Sequence, residues 1–336
     1  MATRVTRRES VKLDEILRYL FNVSKPALVA MLNGLFGESN DPDSVEIVKE
    51  SARMINEQLE IIEGDMFLMV SSQLQKRRYH IEFQTLPDGR MGIRVLQYDM
   101  GKAVDIQRRE QGGAGGKIRL VMPKSVVIHV EESKDVPDEY EVEIVFADGD
   151  AKMYRVPVMK YWTYSAAELV ESGMYPLLPL RVFLLRSELD KATKADKSSV
   201  AKKQAIMRAK DAAAEVAKEA ERLFREGSLR ADDYNTIMNV VRYLFVYLNN
   251  RYKANRLLNK EVSEMLTTIK YIDTDLIDKG KIEAILDLLS DLDDYAIFDI
   301  AGEIMREKRD MQTLMKWLKY AASAGSVMEF KEKAGL

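Results

Sequence analysis

Two acids and an amide are the residues of this chain whose types and spacing could do chemistry. Asp65 stands in EGDMFLMV, and Glu82 and Gln84 stand in RRYHIEFQ, with Glu82 17 positions after Asp65 (82 minus 65). Both stretches have the short apolar texture of strands. Side chains two apart on a strand share a face, so His80, Glu82 and Gln84 point one way, and a neighbouring strand can bring Asp65 to Glu82. Two close carboxylates repel each other, and a buried pair is costly unless a proton or a cation relieves it. Oxygen donors in a chain with no Cys and only two His, His80 and His129, select Mg²⁺ or Mn²⁺ over zinc. Such an ion acidifies a water and neutralises charge building on a phosphodiester. Phosphodiester hydrolysis is therefore the reaction this constellation suits.

The elements that must position these residues can be read from periodicity. Between Val45 and Val130 the runs VEIV, QLEII, MFLMV, YHIEF and SVVIHV are rich in Val, Ile, Phe and Tyr and separated by polar or Gly/Pro breaks, as strands of a sheet are. PDGR at 87–90 makes a turn, and MGIRVLQYDMGKAVDIQRR has the length and spacing of a helix crossing over that sheet. YEVEIVF and KMYRVPV flank the DGD turn at 148–150 and form a hairpin. Ahead of the sheet, apolar positions from Val11 to Phe21 and the run ALVAMLNGLFG, closed by Gly37, predict two helices.

From about residue 191 the composition shifts to Ala, Lys, Glu and Arg and strand-forming sequence ends. A long helix ending at Gly227 is expected, followed by amphipathic helices at YNTIMNVVRYLFVYL, KIEAILDLLSDL, YAIFDIAGEIM and TLMKWLKYAA. The expected organisation is an α/β domain over 1–190, with a mixed central sheet flanked by helices, and an all-helical domain over 191–336. At 336 residues, two domains are the natural division.

Composition limits the function classes. Apolar residues make up 46% and charged residues 31%, as in an ordinary globular protein, and the net charge of -3 gives no whole-chain attraction to a polyanion. Local basic clusters, RVTRR, QKRRYH and QRREQGGAGGKIR, leave contact with a phosphate backbone open. Absence of Cys removes disulfides and makes a cytoplasmic location the expectation. No membrane association is expected, since no run approaches a spanning length and the N-terminus lacks the apolar core of a signal peptide.

EGDMFLMV, RRYHIEFQ and PDGRMGIRVLQY, taken in order and spacing, resemble the PD-(D/E)XK nuclease family transposases, the group that includes the recombination-promoting nucleases. DEILRYLFNVSKPALVAMLNGLFG resembles that family's opening helices, and YRVPVMKYWTYSAAELVESGMYPLLPLRVFLL resembles the segment closing its nuclease domain. The likeness covers roughly residues 11–190. It implies a restriction-endonuclease-like core and a metal-dependent DNA endonuclease in which Asp65 and Glu82 hold Mg²⁺ or Mn²⁺ with the backbone carbonyl of Phe83. Gln84 occupies the place where the wider superfamily has Lys. An amide carries no charge and cannot act as a base, but it can orient an attacking water. Arg94 and Tyr98, four apart on the crossover helix, match the family's Arg and Tyr and would face phosphate or brace the site. Asp14 or Glu15 on the first helix would add an acid. DNA is the implied partner, and cutting both strands makes a homodimer plausible.

Plainer readings stand beside these. Asp65 can be a strand-start turn residue, Glu82 the solvent face of an edge strand, Arg94 and Tyr98 a helix surface pair, and Asp14 and Glu15 solvated charge. His80 and His129 read as packed imidazoles. QGGAGGKIRL lacks the Ser or Thr and the following helix that a phosphate loop requires. The alternative function is a catalytically silent relative that binds nucleic acid or a protein partner on the same fold.

Overall fold

The computed structural model describes residues 13–55, 61–73, 75–110, 118–184, 199–251, 269–272 and 311–336, with positions 186, 190, 282, 285, 286, 288, 289 and 304 between them. The basic cluster RVTRR, the glycine run at 112–116, the start of the long helix and most of KIEAILDLLSDL and YAIFDIAGEIM lie outside the described residues.

Helix α1 (Leu13–Tyr19) buries Ile16 and Leu17, and α2 (Lys25–Phe36) buries Ala27, Leu28, Val29, Met31 and Leu32. Pro26 falls in the first turn of α2, where its missing N–H costs nothing, and Gly37 ends it in the left-handed conformation with φ 62°. The strands are β1 (Glu46–Glu50), β2 (Arg53–Ile55), β3 (Ile61–Glu63), β4 (Met66–Ser71) and β5 (Lys76–Gln84). Then come the crossover helix α3 (Met91–Glu110) and strands β6 (Lys124–His129), β7 (Glu139–Val145) and β8 (Ala151–Lys160).

Six strands form one sheet in the order β1-β4-β5-β6-β8-β7, and β2 and β3 form a separate antiparallel pair. Pairings β1–β4, β4–β5 and β7–β8 are antiparallel, whereas β5–β6 and β6–β8 are parallel. The expected mixed sheet flanked by helices is thus present, with α3 serving the crossover that parallel neighbours require. The DGD hairpin forms as read: Phe146 N donates to Asp150 O at 2.7 Å and Gly149 takes φ 90°.

Strand β5 lies inside the sheet, and its burial alternates two kinds of chemistry. Tyr79, Ile81 and Phe83 are buried on one side, where the Tyr79 ring lies 4.9 Å from Phe36 and the Phe83 ring 6.0 Å from Phe21. His80 and Glu82, equally buried, alternate with them and so point to the other side, the side covered by α3. There Met91 and Val95 of α3 pack on Val127, Tyr140 and Val156 of the sheet. His80 and Glu82 therefore sit under a helix and not on a solvated face.

Past the sheet, α4 (Ala166–Glu171) starts with a capping box between Ser165 and Glu168, and α5 (Leu180–Phe183) follows. Helices α6 (Ser199–Arg225) and α7 (Ala231–Arg251) come next. The chain divides into two compact units, Met1–Leu229 with Asp233–Lys270, and Tyr271–Leu336 with Arg230–Asp232. Strand-forming sequence stops before 190, but α6 and most of α7 belong to the unit that holds the sheet. Arg181 pairs with Glu215 at 3.3 Å, and the Asp233 carboxylate accepts from both the N–H and the hydroxyl of Ser24 at 2.6 Å. The second unit is helical, with α8 (Met311–Ser323) and α9 (Val327–Ala334) packing Leu314, Trp317 and Phe330 with Ile285, Leu289 and Ile304. Among the described residues no helix is long and apolar enough to cross a membrane.

Contact between α2 and the 172–174 turn can be tested at one glycine. A Cβ on Gly34 would lie 2.3 Å from the Ser172 carbonyl oxygen and 2.6 Å from Met174 Cγ, whereas one on Gly89 would meet nothing within 4 Å. Gly34→Ala is expected to cost about 1–3 kcal/mol by overpacking, and Gly89→Ala no more than about 0.5 kcal/mol. Thermal unfolding of the two variants checks this. Equal midpoints would rule out the tight approach.

Candidate functional site

The ladder between β4 and β5 ends at the Met66–Ile81 pair. One step further, where Asp65 comes opposite Glu82, the backbone donors no longer find strand partners, and buried donors must find others. Here the two carboxylates supply them. Asp65 N–H donates to Glu82 Oε2 at 3.0 Å, and Phe83 N–H donates to Asp65 Oδ2 at 2.8 Å. The two acids singled out in the sequence are thus side by side at a strand end, each within hydrogen-bonding reach of the other's strand.

Their electrostatics differ. Burial, then the neighbouring Glu82 charge, push the Asp65 carboxyl up to about 7, against the lowering effect of the Phe83 N–H; Asp14 adds to the rise and Arg18 opposes it. Asp65 is therefore a strained acid, held well above the usual carboxylate range. Glu82 is buried and closely partnered: Oε2 also lies 3.3 Å from His80 Nε2, and Oε1 lies 3.6 Å from Arg94 Nη2.

The other residues singled out in the sequence are placed as follows. Arg94 bridges Asp88 at 3.2 Å and donates to the Tyr98 hydroxyl at 3.3 Å, so the Arg94–Tyr98 pair of α3 stands over Glu82. Gln84 is half-buried, two residues past Glu82 on the same strand face, and pairs in register with His129 of β6. Asp14 and Glu15 are exposed on α1, and Asp14 reaches the site through the charge it exerts on Asp65. Phe83 is buried, with its ring against Phe21. His129 is a packed imidazole, 2.9 Å from the Tyr140 hydroxyl, and burial with the Lys160 charge pushes it down to about 4.

His80 is no ordinary packed imidazole. Its Nδ1 lies 2.7 Å from Asp99 Oδ1 while Nε2 faces Glu82, so both ring nitrogens face carboxylates. Burial alone would lower its pKa, but hydrogen bonds to Asp99 and Glu82 push it up to about 9. The ring is stacked on Phe67 at 4.2 Å. Asp99 also accepts from the hydroxyls of Ser125 and Tyr154. Nothing in motif or spacing singles out Asp99, Ser125 and Tyr154 as partners. For Asp99 alone there is a signal of burial: the apolar stripe of α3 runs Met91, Val95, then Asp99, then Ala103, which puts a carboxylate where a core residue belongs.

Chemically, the donor set of Asp65 and Glu82 oxygens suits a hard divalent cation, which would relieve the same repulsion that now raises the Asp65 carboxyl. Against that, among the described residues no group of three or more His, Cys, Asp or Glu side chains is placed to hold a metal ion together. Compared with known proteins, the chain matches no family model, no curated protein and no solved structure.

The Asp65 environment has a signed consequence for stability. Its carboxyl binds a proton near pH 7 when folded, but only near about 3.9 when unfolded. Between those values the folded chain holds more protons than the unfolded one, so this contribution is full below the lower pKa and is lost as pH rises through the upper one. Asp65→Asn keeps an oxygen for Phe83 N–H and carries no charge. It is expected to be more stable than the parent by on the order of 2 kcal/mol at about pH 8, and no more stable at about pH 4. Unfolding midpoints across that range would measure the gap, and a gap independent of pH would refute the assignment.

Proposed function

We propose that this chain is a DNA-engaging protein built on a PD-(D/E)XK nuclease-type core, with Asp65 and Glu82 marking the point where the core meets a phosphodiester. One observation carries the reading: the two carboxylates come together at the end of β4 and leave Asp65 strained by burial and by its neighbour's charge. The order of elements supports it, since helices precede a mixed sheet whose β5 carries Glu82 and Gln84 and is followed directly by the crossover helix with Arg94 and Tyr98.

In its enzymatic form the reading is a Mg²⁺- or Mn²⁺-dependent DNA endonuclease of the transposase or recombination-associated type. Asp65 and Glu82 would hold the ion, with the Phe83 carbonyl as a further oxygen. When bound, such an ion supplies charge neutralisation and acidifies water at the phosphodiester. Arg94, half-exposed beside Glu82, would meet a phosphate oxygen. Gln84 would orient the attacking water by hydrogen bonding, without the charge or basicity of a Lys.

A second reading, a catalytically silent relative that binds nucleic acid or a protein partner, is favoured by specific observations. Both carboxylates already serve backbone donors, no third acidic or imidazole side chain among the described residues completes a metal cage, and Gln84 stands at the usual Lys position. As the described geometry stands, this reading has the stronger support.

The two separate in one experiment on the full chain. If the site hydrolyses DNA, duplex DNA is nicked or cut with Mg²⁺ or Mn²⁺ present, and Asp65→Ala and Glu82→Ala each lower the rate at least about 100-fold, the scale of losing an electrostatic group at a reacting centre. If the chain only binds, DNA is retained in a mobility-shift assay with affinity falling steeply as salt rises, and remains intact. Loss of both binding and cutting would sink the proposal as a whole.

A further inference from the structure

We propose that Asp99 and His80 are positioning residues that commit one oxygen of Glu82 and present the other, an inference that rests on reading Asp65 and Glu82 as a cation site. Asp99 is fully buried on α3, and its carboxylate is held from three strands at once: by His80 Nδ1 of β5 at 2.7 Å, by the Ser125 hydroxyl of β6 and by the Tyr154 hydroxyl of β8. A carboxylate with that many donors has no rotational freedom left, so it fixes the imidazole that donates to it.

The imidazole is also fixed by shape. Phe67 stacks on one face at 4.2 Å with 8° between the planes, and Tyr98 meets it edge-on at 5.9 Å. A Cβ at Gly64 would come within 2.9 Å of His80 Nε2 and 3.0 Å of the Phe67 ring, so the backbone there closes over the ring and only glycine leaves it room. With the ring immobile, Nε2 lies 3.3 Å from Glu82 Oε2, the oxygen that also accepts from Asp65 N–H. Oε2 thus has two neighbours, and Oε1 is left facing the half-exposed Arg94, whose Nη2 lies 3.6 Å away.

A carboxylate that ligates a cation with one oxygen needs the other one anchored, or the ligand oxygen wanders among rotamers and the site loses preorganisation. Partners behind a ligand typically contribute about 10–100-fold in affinity when removed. A purely structural role would predict something different: removing one partner of this buried cluster would lower stability, while the folded variants would keep the parent's cation affinity.

The test is Mn²⁺ binding to the full-length chain by calorimetry, paired with DNA cleavage kinetics where cleavage occurs. Asp99→Asn and His80→Gln are expected to weaken Mn²⁺ binding by about 10–100-fold and to lower kcat with little change in KM for DNA. Should either fail to fold, Ser125→Ala and Tyr154→Phe each remove one support of Asp99 far from Glu82, and are expected to give a smaller loss of affinity of the same sign. Folded variants that bind Mn²⁺ as the parent does would overturn the relay alone. A parent that takes up no Mn²⁺ would overturn the cation reading of Asp65 and Glu82, and the relay with it.

Discussion

A carboxylate buried completely at Asp99 ties helix α3 to three strands of the sheet. Removing a charge from water costs several kcal/mol even after relaxation, and only paired and fully hydrogen-bonded ions tolerate it. Here the compensation comes from β5, β6 and β8 together, through His80, Ser125 and Tyr154. Helix α3 therefore cannot slide or rotate on the sheet without stranding that charge. Its position is set by a polar lock as well as by Met91 and Val95 packing on Val127 and Val156. The residues that α3 carries near its start, Arg94 and Tyr98, inherit that precision.

From this lock a row of polar groups runs between α3 and β5: Asp99, the His80 ring, Glu82, then Arg94. Asp65 stands at the end of this row with fewer compensating partners, and the strain of the arrangement collects there. Both readings of the site follow from that fact. The carboxylates of Asp65 and Glu82 finish the hydrogen bonding beyond the Met66–Ile81 end of the β4–β5 ladder, which is a structural task any fold could set. They also leave a half-relieved repulsion, which is the property a hard cation exploits. What decides between them is whether the cation's gain exceeds the loss of two charge-assisted backbone hydrogen bonds.

Much of this was legible in the sequence, and the reasons for the gaps are physical. Period-two alternation in RRYHIEFQ identified the strand and the shared face of His80, Glu82 and Gln84, and the length of the 91–109 run identified the crossover helix. The end of strand-forming sequence near 190 was also visible. Composition reports which elements a segment can form, not which unit it packs in, so the attachment of Glu215 to Arg181 and of Asp233 to Ser24 was invisible. Asp99 escaped because a lone acid in a helix reads as solvated charge until its position in the apolar stripe is weighed. His80 escaped for the complementary reason: a histidine's role is set by what faces its two nitrogens, and both partners, Glu82 and Asp99, depend on tertiary structure.

The membership of α6 and most of α7 in the unit that holds the sheet bears on what kind of molecule this is. A binding module that merely carried a helical extension would have few polar ties between the two, since a linker boundary is where contacts thin out. Instead Ser24, at the start of α2, gives both its backbone and side-chain donors to Asp233, and Tyr19 of α1 meets Tyr243 edge-on at 5.5 Å. Helix α1 is the element whose Asp14 and Arg18 set part of the charge felt by Asp65. The helices after 190 thus bear on the candidate site through α1, the short first helix they brace. Whatever Asp65 and Glu82 do, binding or hydrolysis, they do it in a unit whose electrostatic surroundings are held in place by sequence more than 150 positions away, as the separations of 209 between Ser24 and Asp233 and 214 between Asn22 and Thr236 make plain.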